Sequence, residues 1–295
     1  MISVIITAYK EEKTIGRAIE AILSNRIKEK TEIIIICPDK ATADIVKKYQ
    51  KKNNNIVLLK DKREGKPAAL NQTFKKAKGD ILLLTDGDVF IGKNALKEMV
   101  NPFKNPKVGA VTGRPVSVSP KDKMLGYWSH LLTDVGAHET RTNLAKKGKF
   151  IVCSGYLYAF RSGIIKKLDP KTLSEDAVIS SIIAEKGYKI HYSPLAKVYV
   201  KYPTHLTDWI KQKRRSTGGY LQINQMAKSK KTMRSFLKES AGIFRAFSYS
   251  KNIKEFFWVL LLIIARIYLW ALIFIDIKLG KRNLKKPWPV IESTK

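Results

Sequence analysis

The chain has 295 residues, 56 of them Lys or Arg against 25 Asp or Glu, giving a formal net charge of +31. That length allows one large α/β domain with an appendage, or two small domains, and a core that needs no disulfide staples. The two cysteines, Cys37 and Cys153, fall in or at the end of apolar runs and read as small buried hydrophobes; no close pair of Cys/His ligands suggests a metal site, and the usage suits a reducing compartment.

The opening Met1 to Thr7 reads as a strand, with no basic leader and no cleavage site, so the N-terminal domain is expected in the cytoplasm. Apolar runs at Val4–Ala8, Glu32–Ile36, Ile56–Leu59 and Ile81–Leu84 predict four strands. Helical patterns at Thr14–Leu23, Ala41–Tyr49 and Pro67–Lys76 separate them. Uninterrupted Ile/Val/Leu strands between helices indicate a parallel sheet covered on both faces, a doubly wound, nucleotide-binding kind of half-domain. From Val108 to about Tyr202 the pattern is mixed. Strand-like stretches at Gly109–Thr112, Phe150–Cys153, Leu157–Phe160, Tyr188–Tyr192 and Ala196–Val200 are expected to complete the same sheet. From Asp208 the chain is helical and basic, and Phe256–Ile277 is a long apolar run containing Arg266. The expected organisation is a nucleotide-binding half over 1–107, an acceptor half of the same catalytic domain over 108–220, and a basic, amphipathic and apolar C-terminal region over 221–295 that associates with membrane.

Four short elements carry candidate chemistry. Strand four runs into Asp86-Gly87-Asp88, whose carboxylates project to one side of extended chain. Like charges that close call for a cation, and Mg²⁺ or Mn²⁺ holding a diphosphate is the natural partner. Arg63-Glu64-Gly65-Lys66-Pro67 offers a flexible turn, a helix start and two cations for phosphate. Ser174-Glu175-Asp176 reads as an N-cap followed by acids, with Asp176 a candidate general base. Gln212-Lys213-Arg214-Arg215 offers arginines for a leaving diphosphate or an acceptor phosphate.

Taken in order, these elements resemble the family 2 glycosyltransferases. Thr7-Ala8-Tyr9-Lys10-Glu11 is similar to that family's first strand and loop, and Gly65-Lys66 to Asn71 to its next signature. Asp86-Gly87-Asp88 stands at its D-x-D, Ser154-Gly155 to Arg161 at its acceptor-side strand, Glu175-Asp176 at its E-D and Gln212 to Arg215 at its Q-x-x-R-W. The resemblance covers roughly Ile2 to Ser216. It implies a GT-A fold, a mixed and mainly parallel sheet with flanking helices, and a hexosyltransferase that inverts the anomeric centre. On it, Tyr9, Glu11 and Asp39 would line the nucleobase and ribose pocket, and Thr7 and Ala8 would also bind the donor. Lys66 would lie near the diphosphate, Gly87 and Arg214 would bind the donor, Asp86 and Asp88 would hold metal and donor, Asp176 would be the base beside Glu175, and Gln212 and Arg215 would act at the acceptor or diphosphate end. Two positions depart from the pattern. Cys37-Pro38-Asp39-Lys40-Ala41-Thr42 keeps only Asp39 of the usual acidic stretch, and Ser216 replaces the Trp associated with polymer-extending members.

The positive excess favours polyanionic partners, although part of it reads as a chain-wide preference for Lys. The basic residues thicken from Lys197 onward and flank the apolar segment, which points to an anionic membrane surface at the cytoplasmic face and not to a nucleic-acid groove. Phe256–Ile277 is long enough to span, or to lie in the interface with Arg266 snorkelling; Trp258, Trp270 and Trp288 can anchor it either way, and the tail Lys278, Lys281, Arg282, Lys285 and Lys286 is as basic as the stretch before it. The expected acceptor is lipid-linked, such as a polyprenyl phosphate, or a glycan. Two other classes remain: a nucleotidyltransferase, for which Thr7 to Glu12 lacks the glycine-rich loop, and a basic binding protein without catalysis.

Overall fold

A computed structural model describes residues 1–226, 243–278 and Thr294; within the helices, the side chains of Arg215, 218–226, 243 and 276–278 fall outside the description. The first half alternates as the sequence predicts. Strands β1 (Ile2–Thr7), β2 (Thr31–Cys37), β3 (Ile56–Lys60) and β4 (Ile81–Asp86) are separated by helices α1 (Ile15–Leu23), α2 (Lys40–Gln50) and α3 (Lys66–Lys76). They pair in parallel in the order β3-β2-β1-β4. The alternate faces of β1 and β2 enter two separate cores: Val4, Ile6, Ile33 and Ile35 pack under α1, while Ile5 and Ile34 pack with Leu70 of α3. Burial on both faces is why these strands read as unbroken Ile runs, and each such side chain contributes about 1.5–3 kcal/mol when fully buried.

The sheet continues through β7 (Leu157–Arg161), β6 (Val108–Ser117), β8 (Lys189–Val200) and the short β5 (Val89–Ile91), in the order β4-β7-β6-β8-β5. β7 is antiparallel to both β4 and β6, whereas β6 and β8 are parallel. β8 is one strand where the sequence pattern suggested two; Pro194 lies inside it, where the β6 register shifts. The expected strand at Phe150–Cys153 is not one. That segment is extended and buried, but the Cys153 amide donates to Ser180 Oγ at 2.9 Å and the Ser154 amide to Thr112 Oγ1 at 2.8 Å, so side chains take the place of a ladder. Arg161 is structural: it donates to the carbonyls of Phe103, Asn105 and Val108 and pins β7 to the turn before β6.

Helix α4 (Ala95–Val100) packs on β8, and α5 (Met124–Leu131) runs into a π-helical stretch (Leu132–Glu139) and then α6 (Thr140–Lys146). α7 (Glu175–Glu185) precedes β8, and α8 (Leu206–Met226), α9 (Ile243–Ser248) and α10 (Ile253–Lys278) follow it. α10 is tied to the rest of the chain by a third apolar cluster in which Val259 and Leu262 meet Tyr127, Trp128, Leu131 and Trp209. The Trp128 indole N–H donates to the Trp258 carbonyl at 2.7 Å. The rest of α10 stays open: Ile253, Phe257, Ile264, Ile267, Tyr268 and Phe274 are exposed. Ile253–Ile275 has a mean hydropathy of 2.5 and is long and apolar enough to cross a membrane. The basic tail at Lys281, Arg282, Lys285 and Lys286, with Trp288, lies outside the described residues.

Candidate active site

The carboxyl ends of β1 and β4 lie side by side, with Thr7 opposite Asp86 in the pairing. Thr7 Oγ1 donates to Asp86 Oδ1 at 2.8 Å, and the same oxygen takes a 2.7 Å hydrogen bond from Lys66 Nζ. Lys66 also reaches Glu175 Oε1 at 2.8 Å. One buried ammonium therefore joins the D-x-D turn to the E-D turn, 89 residues apart from Asp86 to Glu175. Gly65, at φ +100°, delivers Lys66 to this position at the start of α3. Burial works against the Lys66 charge, but the Asp86 and Glu175 carboxylates outweigh it and hold its pKa well above the ordinary lysine value. Burial, the largest influence on Glu175, pushes that carboxyl up, Lys66 pulls it back, and the Asp176 charge adds to the push, so its pKa stays raised. Sequence reasoning placed Lys66 by the diphosphate; the structure puts it between two acids.

Asp176 is held differently. Its Oδ1 accepts from Ser174 Oγ at 2.6 Å and from the Ala177 amide at 2.9 Å. Among the described residues no hydrogen bond reaches Oδ2, which lies where a Cβ on Gly155 would be 3.3 Å away. Glycine at 155 thus leaves room for a group to approach that oxygen. Ser174 makes no capping bond to the α7 backbone, contrary to the sequence reading; the nearby carboxylate, a stronger acceptor, takes its hydroxyl.

The loop after β1 is set by Asp39. Its Oδ2 accepts from the Lys10 amide and its Oδ1 from the Thr42 amide, both at 2.9 Å. Burial opposes the charge, but those N–H donors hold its pKa below the usual carboxylate value. Asp39 is thereby the N-cap of α2 and the anchor for Lys10, which sits at φ +53°. Thr42 Oγ1 accepts from the Glu11 amide at 2.9 Å. Arg63, also left-handed at φ +60°, donates to the Tyr9 hydroxyl at 2.7 Å and lies 5.2 Å from its ring centroid, forming a flat edge beside the β1 end. A side chain on Gly87 would collide with the Glu11 carboxylate and crowd Ala8 and Ile15, so the Asp86-Gly87-Asp88 turn depends on glycine for close packing. Gln212 Oε1 is buried and takes no hydrogen bond among the described residues, while α8 as a whole packs on α7. Arg214 lies on the same helix, and the Arg215 side chain is outside the description.

Several polar residues near these turns gave no sequence signal. Tyr158 on β7 is fully buried, its hydroxyl takes no hydrogen bond among the described residues, and burial with the Glu175 and Asp176 charges pushes its pKa well up. Arg114, Asp134, His138 and Arg141 lie in or beside the π-helical stretch. The thiols of Cys37 and Cys153 are free, buried and pushed up to about 12 by burial, as expected of inert hydrophobes.

The order of loops at the strand ends matches a known pattern. A family model described as "Glycosyltransferase like family 2" matches residues 1–219. The chain belongs to glycosyltransferase family 2. Its curated relatives include poly-beta-1,6-N-acetyl-D-glucosamine synthases. That of Staphylococcus aureus is 30% identical over 228 residues, covering 74% of this chain and 54% of the relative, and that of Staphylococcus epidermidis is 29% identical over 228 residues with the same coverage. The chain thus spans about half the length of these relatives. Among solved structures, a mannosyltransferase from Pyrobaculum calidifontis in complex with GDP-Man and Mn²⁺ superposes with a TM-score of 0.67 at 16% identity, over 95% of this chain and 88% of that one. The family 2 member described here therefore has the GT-A fold: a mixed, mostly parallel sheet with flanking helices, and one apolar C-terminal helix beyond it.

Proposed function

We propose that this chain transfers a sugar from a nucleoside-diphosphate sugar to an acceptor held at the cytoplasmic face of a membrane, with inversion at the anomeric carbon and with Mg²⁺ or Mn²⁺ bound. The observation that carries this is Lys66, which joins Asp86 to Glu175 and so brings the donor-side turn beside Asp176. On this reading Tyr9, Arg63, Glu11 and Asp39 frame the nucleoside end, and Lys66 and Arg214 face the diphosphate. Asp176 Oδ2 takes the proton of the acceptor hydroxyl as its oxygen bonds to the anomeric carbon and the bond to the diphosphate breaks. Gln212 and Arg215 act at the acceptor or leaving-group end.

The residues fit a divalent ion of a particular kind. Asp86 and Asp88 would hold the ion, and the Asp86 Oδ1 is also engaged by Lys66 and Thr7. Mg²⁺ or Mn²⁺ would take one or two such carboxylates and fill its shell with donor oxygens and water. The ion would supply charge neutralisation to the leaving diphosphate. Chelating divalent metal is expected to stop turnover, and Mn²⁺ or Mg²⁺ to restore it; full activity in chelator would remove the ion from the reading. A screen of several nucleotide sugars, read both as donor hydrolysis and as protection against thermal unfolding, separates a transferase from a basic binding protein without catalysis.

The relatives named as polymer synthases favour glycan extension as a second reading. Ser216, standing where polymer-extending members carry Trp, weighs against it. The open apolar face of α10 and the basic residues around it support residence on an anionic membrane.

A further inference from the structure

An unbroken ring of contacts encloses one spot at the carboxyl ends of β1, β2 and β3. Arg63 Nη2 donates to the Tyr9 hydroxyl at 2.7 Å, and the Arg63 amide donates to Asp61 Oδ1 at 3.0 Å. The amide of Asp61, one residue past β3, donates to the Cys37 carbonyl at 3.1 Å. Two residues on from Cys37, Asp39 Oδ2 accepts from the amide of Lys10, the neighbour of Tyr9, at 2.9 Å and closes the ring. Cys37 is buried, Tyr9, Asp39 and Asp61 are half-buried, and Arg63 is exposed at the rim.

The two aspartates of this ring are not equivalent. Both oxygens of Asp39 are committed to backbone amides, Oδ2 to Lys10 and Oδ1 to Thr42, so Asp39 shapes the loop. Asp61 Oδ1 takes the Arg63 amide, and no comparable hydrogen bond reaches Oδ2 among the described residues. Burial, the largest influence, pushes the Asp61 carboxyl up and the Glu64 charge adds to it, while the Arg63 and Lys62 amides oppose that only in part. A carboxylate drawn partly out of water with too few donors is an incomplete site.

The chemistry of the bases says what completes it. An ionised carboxylate only accepts hydrogen bonds. Guanine presents two adjacent donors, N1–H and the N2 amino group, which suit a carboxylate's two oxygens as a pair of parallel N–H···O bonds. Uracil presents a single N3–H between two carbonyls, and adenine an amino group beside a ring acceptor, so each sets an acceptor against the carboxylate. We propose that Asp61 reads the base of the donor and selects guanine, making the donor a guanosine-diphosphate sugar. This rests on the transferase reading, which it deepens by naming the base.

The test is calorimetry of the full chain in detergent with Mn²⁺ and four probes: GDP, inosine diphosphate, UDP and ADP. GDP is expected to bind about tenfold tighter than UDP or ADP, or more. Inosine diphosphate keeps N1–H but lacks the N2 amino group, and is expected between GDP and UDP. Asp61→Asn keeps an oxygen for the Arg63 amide and puts an NH₂ group where guanine needs an acceptor. It is expected to weaken GDP about tenfold or more and to leave UDP and ADP within about a factor of two. UDP or ADP binding the intact chain as tightly as GDP overturns the proposal, as does unchanged GDP affinity in the variant. Equal weakening of all four probes overturns it too, because Asp61 would then only shape the turn. The unfolding midpoint reports whether the variant folds, and the order of the probes on the intact chain decides if it does not. Binding of none of the four fails the transferase reading together with this one, whereas a wrong order among bound probes fails the choice of base alone.

Discussion

Asp176→Asn is expected to lower the turnover number by roughly 10²–10⁴-fold while leaving the donor's KM within about a factor of two. The substitution is nearly isosteric. An amide oxygen at the Oδ1 position still accepts from Ser174 Oγ and from the Ala177 amide, so the start of α7 keeps its shape. What changes is the atom beside Gly155, where an oxygen able to take a proton becomes an NH₂ group that cannot. The donor turn is untouched, because Glu175 rather than Asp176 meets Lys66. Steady-state kinetics with acceptor in excess, together with donor protection in a melting assay, would separate the two effects. Near wild-type turnover in the variant would mean that some group other than Asp176 receives the acceptor's proton. A variant that lost donor protection as well would show that Asp176 shapes the donor site and would not establish it as the base.

The first half of the fold was open to reading for a physical reason. β1, β2 and β4 are covered on both faces, so Ile5 and Ile6, or Ile34 and Ile35, enter different cores, and the sequence shows an unbroken apolar run bounded by helices. The same signal misled at Phe150–Cys153. Val152 packs against Ala177 and the Cys153 thiol is fully buried, yet the amides there are satisfied by Ser180 and Thr112. Apolar content reports burial and says nothing of which groups complete the hydrogen bonds. β5 has three residues, too few for any period, and exists because Val89–Ile91 completes the edge along β8. The π-helical stretch leaves no mark either, since inserting one residue into a helical turn changes no composition.

The candidate site was half legible. Asp86, Asp88, Glu175 and Asp176 were singled out as candidates because short spacings put acids at the ends of elements. The contact that unites them, Lys66 to Glu175, links residues 109 apart and follows only from the order of strands in the sheet. Ser174 was read as a cap because that residue type before a helix usually is one, and a carboxylate two residues on took the hydroxyl instead. Arg114 and Arg141 were passed over as two more basic residues in a chain of net charge +31. Burial distinguishes Arg141 from the rest, and burial of a charge is invisible until the chain is folded.

Lys66→Met is expected to cost about 3–5 kcal/mol of stability, because it removes one partner of a buried pair and strands the other. Glu175 has a side chain only 4% exposed, and its counter-charge in the structure is Lys66. Methionine fills much the same volume, so the loss would come from the charge and little from a cavity. At about 2–4 °C per kcal/mol for a domain of this size, the unfolding midpoint would fall by roughly 10 °C. The direction with pH follows from the same cause. Without Lys66, burial and the Asp176 charge raise the folded-state pKa of Glu175 further above its unfolded value. The folded chain then holds the proton more tightly than the unfolded one, so the deficit shrinks as pH falls toward the unfolded carboxyl value and grows as pH rises through the raised one. Glu175→Gln placed on top of Lys66→Met removes the stranded charge and is expected to recover most of the midpoint. Transfer would stay impaired in the double variant, because Asp86 still lacks its cation on the donor side. Recovery of stability without recovery of activity would assign Lys66 two separable tasks, tying the two halves of the site together and neutralising its donor end. An unchanged midpoint in the single variant would mean that solvent already compensates Glu175, and the bridge would then serve the donor alone.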